Sequence, residues 1–276
     1  MKHSKLLSVI ATTTMMMTAV SCGQKKESKV LVLYYSQTGN TEQVAKEIAS
    51  RLGADMEAII AVNPYDGDFQ ATIERCLQER EQGILPEIQP VVANLNDYDV
   101  IFLGYPVWFG TFAPPVITWL NNVDLNGKTI VPFCTFGSGG LDSSTRDLAA
   151  KQPNATIMPG YGVRAARLAA MPKEVDQFLK ASGFLEGEYV VLPDFPEQHE
   201  VSAEEAAIFD AAVDGYPMLH AKATNVAARE IPDGMEYLFT AEDLPREGAP
   251  EIPTHELQVY VTVVNGETPV FTQVIR

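Results

Sequence analysis

From Lys29 to Ser182, short apolar runs alternate with segments of helical periodicity, and this alternation constrains the fold more than any other feature of the chain. The apolar runs are Val30 to Tyr35, Asp55 to Val62, Asp99 to Gly104, Thr129 to Thr135 and Ala155 to Met158. Between them, Glu42 to Leu52 places Val44, Ala45, Ile48, Ala49 and Leu52 on one helical face. Further helices are expected over Phe69 to Gln82, closed by Gly83 and Pro86, over Pro114 to Asn121, over Ser143 to Lys151 and over Pro172 to Ser182. Strands covered by helices on both faces read as continuous apolar runs. The expected fold class is therefore α/β, with a five-stranded doubly wound parallel sheet over residues 29–183. In such sheets the ligand lies in the crevice at the carboxyl ends of the strands.

After Gly183 the texture changes. Pro193 and Pro196 mark a linker over 184–200, and residues 201–276 read as a small α+β C-terminal domain. Ser202 with Glu205 forms a capping box that opens a helix to about Asp214. Tyr216 to Arg229, Met235 to Thr240, His255 to Val264 and Val270 to Ile275 read as strands, with Asn265-Gly266 as a hairpin turn. One helix followed by four antiparallel strands resembles the cystatin-like group, on element order alone.

The whole chain carries a formal charge of -16. Residues 190–276 hold 16 acidic against 4 basic side chains, a net of -12, which is consistent with a boundary between two domains. That charge repels nucleic-acid phosphates and anionic headgroups, so no nucleic-acid partner is expected. At the N-terminus, Lys2, His3 and Lys5 precede an apolar stretch from Leu6 to Val20, and the small residues Ala19 and Ser21 precede Cys22. Residues 1–21 have the form of an export signal, and the approach to Cys22-Gly23 resembles the lipobox of bacterial lipoproteins. The resemblance implies lipidation at Cys22, a tether over 22–28, and a protein anchored in a bacterial cell envelope, at the periplasmic face or the outer membrane. Cys76 and Cys134 are most simply core thiols, although an exported protein could pair them.

Three segments at the expected crevice carry the chemistry. Ser36-Gln37-Thr38-Gly39-Asn40-Thr41 links the first strand to the first helix and offers three hydroxyls, an amide and the free N–H groups of a helix start. That set suits a phosphate dianion held without a positive side chain. The lysine of a nucleotide-hydrolysing phosphate loop is absent from it. A plain polar turn, with Thr41 as the helix cap, is the structural alternative. The third strand ends in Gly104-Tyr105-Pro106-Val107-Trp108-Phe109-Gly110, which directs aromatics at the crevice, where they either cover something flat or pack under the next helix. The fourth strand runs into Thr135-Phe136-Gly137-Ser138-Gly139, whose glycines let the backbone approach a ligand closely.

Ser-x-Thr-Gly-x-Thr-Glu at 36–42 matches the phosphate signature of the flavodoxins position for position, and with the other two segments it makes residues 29–183 resemble the flavodoxin-like FMN-binding family. The resemblance implies non-covalent FMN, with Ser36 to Thr41 on the phosphate, Trp108 against one ring face within Pro106 to Gly110, and Thr135 to Gly139 along the pyrimidine edge. Asn63-Pro64-Tyr65 begins the long connection that some flavodoxin-like flavoproteins carry. Carrier flavodoxins often have glycine where Phe109 stands, so positive φ, and with it one-electron behaviour, is expected to be disfavoured here. Tyr161, Arg164 and Arg167 either reach the cofactor edge or pack on the surface. The implied function is electron or hydride transfer from a reduced donor to an acceptor such as a quinone, with a one-electron carrier and a partner-binding lipoprotein as alternatives. The sequence names neither donor nor acceptor, and a homodimer is compatible with it.

Overall fold

The computed structural model describes residues 29–244 and 256–276, so the signal and lipidation reading at Cys22 lies outside the described residues, as does the expected strand start at His255. Two compact units emerge. The first comprises the described residues up to Thr135, with Leu141–Tyr161 and Leu168–Val191; the second comprises Phe136–Gly140, Gly162–Arg167 and the described residues from Leu192 to Arg276. The main division, between Val191 and Leu192, lies within the linker expected over 184–200, and two short segments from the middle of the chain belong to the second unit.

The first unit is built from β1 (Val30–Tyr34), α1 (Asn40–Leu52), β2 (Asp55–Ala58), α2 (Phe69–Gln82), β3 (Val100–Trp108), β4 (Thr111–Phe112), α3 (Pro114–Asn121), β5 (Thr129–Phe136), α4 (Leu141–Lys151), β6 (Thr156–Ile157), β7 (Tyr161–Arg164) and α5 (Met171–Ala181), the last residues of β5 and β7 passing into the second unit. The parallel order is β2-β1-β3-β5-β6, the doubly wound arrangement expected from the alternation. Leu31, Val32, Leu33, Ile101, Phe102, Leu103, Ile130, Val131 and Phe133 are all buried, which is why these strands read as unbroken apolar runs. Cys76 and Cys134 are both free and buried, as core thiols. Burial pushes the Cys76 thiol up to about 11 and Cys134 further still, so neither is a thiolate at neutral pH.

Several element boundaries differ from the sequence reading, each through a non-local partner. The second strand stops at Ala58, not Val62, because the chain turns aside: Val62 donates its N–H to Glu87 O at 2.9 Å and Gln89 to Ile60 O at 2.7 Å, so the long connection pairs with its own return. The third strand continues past Gly104 to Trp108, since Tyr105 and Pro106 remain in register with Cys134 and Thr135 of β5. Pro106, Val107 and Trp108 are therefore strand, not loop. Tyr161–Arg164, expected as part of a connection, forms β7 against β5.

The second unit carries β8 (His199–Glu200), α6 (Ala203–Val213), β9 (Ala221–Ile231), β10 (Gly234–Asp243), β11 (Glu256–Val264) and β12 (Val270–Ile275) in an antiparallel sheet ordered β12-β11-β10-β9-β8. Both halves of the expected capping box are present at Ser202 and Glu205. Phe209 of α6 packs with Val226, Phe239, Val259, Val261, Phe271 and Val274 in one apolar core. The first expected strand begins at Ala221 instead of Tyr216, because Gly215 takes φ 69 and Leu219 bonds back to Tyr216 in a turn. Among the described residues no helix is long and apolar enough to cross a membrane.

Candidate functional site

Ser36–Thr41 runs from the carboxyl end of β1 into α1, as the strand–loop–helix pattern requires. Gly39 is the N-cap of α1 at φ 85, a left-handed conformation that glycine adopts without a Cβ penalty, and no side chain caps the helix. Thr41, offered by sequence as a cap, is inside the helix. Four other helices close this end differently. Asp68 caps α2 and Ser202 caps α6, while α3 and α5 open with proline, which has no N–H to satisfy. The start of α1 is left with backbone donors aimed forward and the positive end of the helix dipole behind them.

The side chains of this loop divide three ways. Ser36 Oγ is buried with no hydrogen-bond partner, a costly state for a hydroxyl that lacks a ligand. Thr41 is buried, and its Oγ1 lies 2.8 Å from Thr135 Oγ1, tying the loop to the end of β5. A hydroxyl that accepts from its neighbour still has its own proton to give. Gln37 departs from the expectation. Its Nε2 donates to Tyr65 O at 2.9 Å and Thr72 Oγ1 at 2.7 Å, so its amide anchors the long connection and leaves only its backbone for an anion. Thr38 is exposed and Asn40 opens the helix.

Trp108 ends β3 half-buried, with its ring edge-on to Tyr35 (centroids 5.9 Å apart, planes at 88°) and to Tyr65 (5.2 Å, 70°). Tyr65 donates its hydroxyl to Glu79 Oε2 at 2.6 Å, and the Arg75 guanidinium lies 3.8 Å over its ring. Burial holds the phenols of Tyr35 and Tyr65 far above their ordinary range, so both stay neutral. The sequence of Asn63-Pro64-Tyr65 marks the long connection but carries no local signal that Tyr65 props Trp108, because the two are far apart along the chain.

Phe109 and Gly110 form a two-residue hairpin turn between β3 and β4, with φ 52 and 81. Positive φ at both central residues is the signature of a type I′ turn. Propensity alone disfavours this conformation at Phe109; the hairpin holds it there. Ser143 Oγ pins the turn by donating to Gly110 O at 2.5 Å, and Arg80 lies 5.3 Å over the half-exposed Phe109 ring. Phe109 is thus not a core residue, and Trp108 is only partly one.

Thr135 is the last residue of the first unit before the chain passes into the second, in which Phe136, Gly137, Ser138 and Gly139 fall. Phe136 is buried as the last residue of β5. Arg164 donates from Nε to Gly137 O at 2.8 Å and from Nη1 to Phe271 O at 2.9 Å, and burial lowers its pKa from the ordinary value. These bonds are a structural use of Arg164, a packing role rather than a reach to the cofactor edge. Tyr161 likewise packs, donating to Glu174 Oε2 at 2.8 Å with its ring tilted against Phe178.

Comparison with known proteins gives this arrangement a family. A family model described as flavodoxin matches residues 29–175, just over half of the 276-residue chain. Among solved structures, one described as a flavoprotein from Bacteroides eggerthii is 28% identical over 54% of this chain and 98% of its own, with a TM-score of 0.46. A counterpart from Bacteroides uniformis is 27% identical over 54% and 98%, with a TM-score of 0.48. A flavoprotein from Lactobacillus acidophilus solved in complex with FMN is 24% identical over 54% and 97%, with a TM-score of 0.46. On the strength of the family match, the chain belongs to the flavodoxin family.

Proposed function

We propose that the chain binds FMN without a covalent link and passes electrons or hydride from a reduced donor to an acceptor such as a quinone. The observation that carries the reading is the buried, partnerless hydroxyl of Ser36 beside a helix start that no side chain caps. Unsatisfied donors of this kind fit a dianion, and the loop supplies no lysine that would mark a nucleotide hydrolase. Ser36, Thr38, Thr41 and the first N–H groups of α1 would hold the phosphate. Trp108, braced by Tyr35 and Tyr65, offers an aromatic surface to the ring system, worth about 0.5–1.5 kcal/mol beyond the area covered. Bound FMN would supply the redox chemistry itself, and the chain's part is to hold and orient it.

A membrane-tethered one-electron carrier is the second reading, favoured by the net charge of -12 over residues 190–276, which suits docking on basic redox partners. In either case the proposal includes anchoring in the cell envelope through Cys22, supported by the sequence of residues 1–22. The test is direct. Purified protein should be yellow and should release FMN, not FAD, when denatured. A colourless protein that takes up no added FMN would sink the reading.

A further inference from the structure

Gln37 lies inside the candidate phosphate loop, yet the bonds of its side chain lead elsewhere. Nε2 donates to Tyr65 O at 2.9 Å and to Thr72 Oγ1 at 2.7 Å, which ties the loop to the long connection and to α2. The ring of Tyr65 stands edge-on to Trp108 at 5.2 Å, and Tyr35, two residues before Gln37, meets the same indole at 5.9 Å. Two more side chains of α2 fix Tyr65. Glu79 accepts from its hydroxyl at 2.6 Å, and Arg75 covers its ring while donating to Asn63 O and Pro64 O at 3.2 and 2.9 Å. All of these residues belong to the first unit, where the loop and Trp108 stand at the carboxyl ends of the adjacent strands β1 and β3. Thr135 links them a second time: it pairs with Pro106 of β3, and its hydroxyl lies 2.8 Å from that of Thr41.

A half-buried aromatic at the end of a strand has side-chain freedom that a flat ligand must freeze, and that cost is subtracted from affinity. Bracing the aromatic beforehand removes the cost. We propose that Gln37 is a positioning residue for the flavin ring system: it fixes Tyr65, Tyr65 fixes Trp108, and ring affinity depends on a side chain that lies within the phosphate loop. This rests on the reading that the chain binds FMN.

The experiment titrates flavin-free, full-length protein and its variants with FMN and, separately, with riboflavin, which has the rings and no phosphate. Gln37→Met keeps the length of the side chain and removes its donors. It should weaken both flavins by the same factor, about fivefold, the scale of one lost neutral hydrogen bond. Thr72→Val cuts one end of the same tie from α2 without altering the loop. It should also weaken both flavins equally, which keeps the test decisive if the Gln37 variant fails to fold. In a Tyr65→Leu background, where the ring that Gln37 positions is gone, Gln37→Met should cost nothing further, since two changes along one line of contact do not add. Near-UV circular dichroism of the flavin-free protein should fall in Gln37→Met, because the Tyr35, Trp108 and Tyr65 rings lose their fixed packing. A loss confined to FMN would place the Gln37 side chain at the phosphate and overturn the proposal. Wild-type affinity for both flavins, losses that add in the Tyr65→Leu background, or an unchanged near-UV signal would overturn it as well. Wild-type protein that binds neither flavin overturns instead the functional reading on which the proposal rests, while the near-UV signal still decides whether Gln37 sets the packing of Trp108.

Discussion

Ser36–Thr41 and Phe136–Gly140 are both short runs of glycine and hydroxyl residues that leave a parallel strand. In the first, Ser36 Oγ has no partner, the helix start has no side-chain cap, and Gly39 has open space where a Cβ would go. In the second, Gly137 O and Ser138 O are bonded to Arg164 and Val274, and a Cβ on Gly139 would collide with the Val274 carbonyl. Donors left unsatisfied in a folded protein point to a ligand, whereas carbonyls satisfied from far along the chain point to a fixed scaffold. Loops of similar composition therefore do opposite work, one by what it leaves unpaired and the other by what is paired for it.

The largest expected effect separates the two glycines. Gly139→Ala forces a Cβ to within 2.2 Å of a backbone oxygen, so it should lower stability by about 2–3 kcal/mol in urea unfolding. Gly39→Ala meets no atom within 4 Å and carries only the strain of φ 85, about 1–2 kcal/mol. Gly39→Asn should recover part of that loss, since asparagine tolerates the left-handed region, and Gly139→Asn should recover none. Equal costs at the two sites would erase the contrast.

Ser36→Ala should act with opposite signs on stability and on binding. Deleting a buried hydroxyl that lacks a partner should raise the stability of the flavin-free protein by about 1 kcal/mol. The same change should weaken FMN about tenfold, the worth of a hydrogen bond to a charged group. A fall in both quantities would mean that the hydroxyl has a partner within the protein.

The legibility of these features followed their sequence separation. The parallel sheet could be read because burial on both faces writes Leu31–Leu33, Ile101–Leu103 and Ile130–Val131 as unbroken apolar runs. The phosphate loop could be read because its groups are contiguous. What escaped depends on distant partners: Gln37 is committed to Tyr65, 28 residues away, and Arg164 to Phe271, 107 residues away. Tyr105 to Trp108 looked like loop because Gly104 and Pro106 punctuate the run, but pairing with β5 and β4 keeps it extended. Phe109 was misjudged because a propensity argument sets the cost of positive φ without the hairpin that imposes it. The smallest prediction concerns this residue. Phe109→Gly relieves about 1–2 kcal/mol of strain and loses about 0.5–1 kcal/mol to backbone entropy, so stability should rise by no more than about 1.5 kcal/mol.

The central claim, that the open donors of Ser36–Thr41 receive a phosphate, is tested most directly by titrating flavin-free protein with FMN and with riboflavin, beside the double variant Thr38→Val, Thr41→Val. Wild-type protein should prefer FMN by about a hundredfold or more, the scale of two charge-assisted hydrogen bonds, and the double variant should lose most of that preference while binding riboflavin nearly as before. Equal affinity of the wild type for the two flavins, or equal losses of both in the variant, would contradict the account.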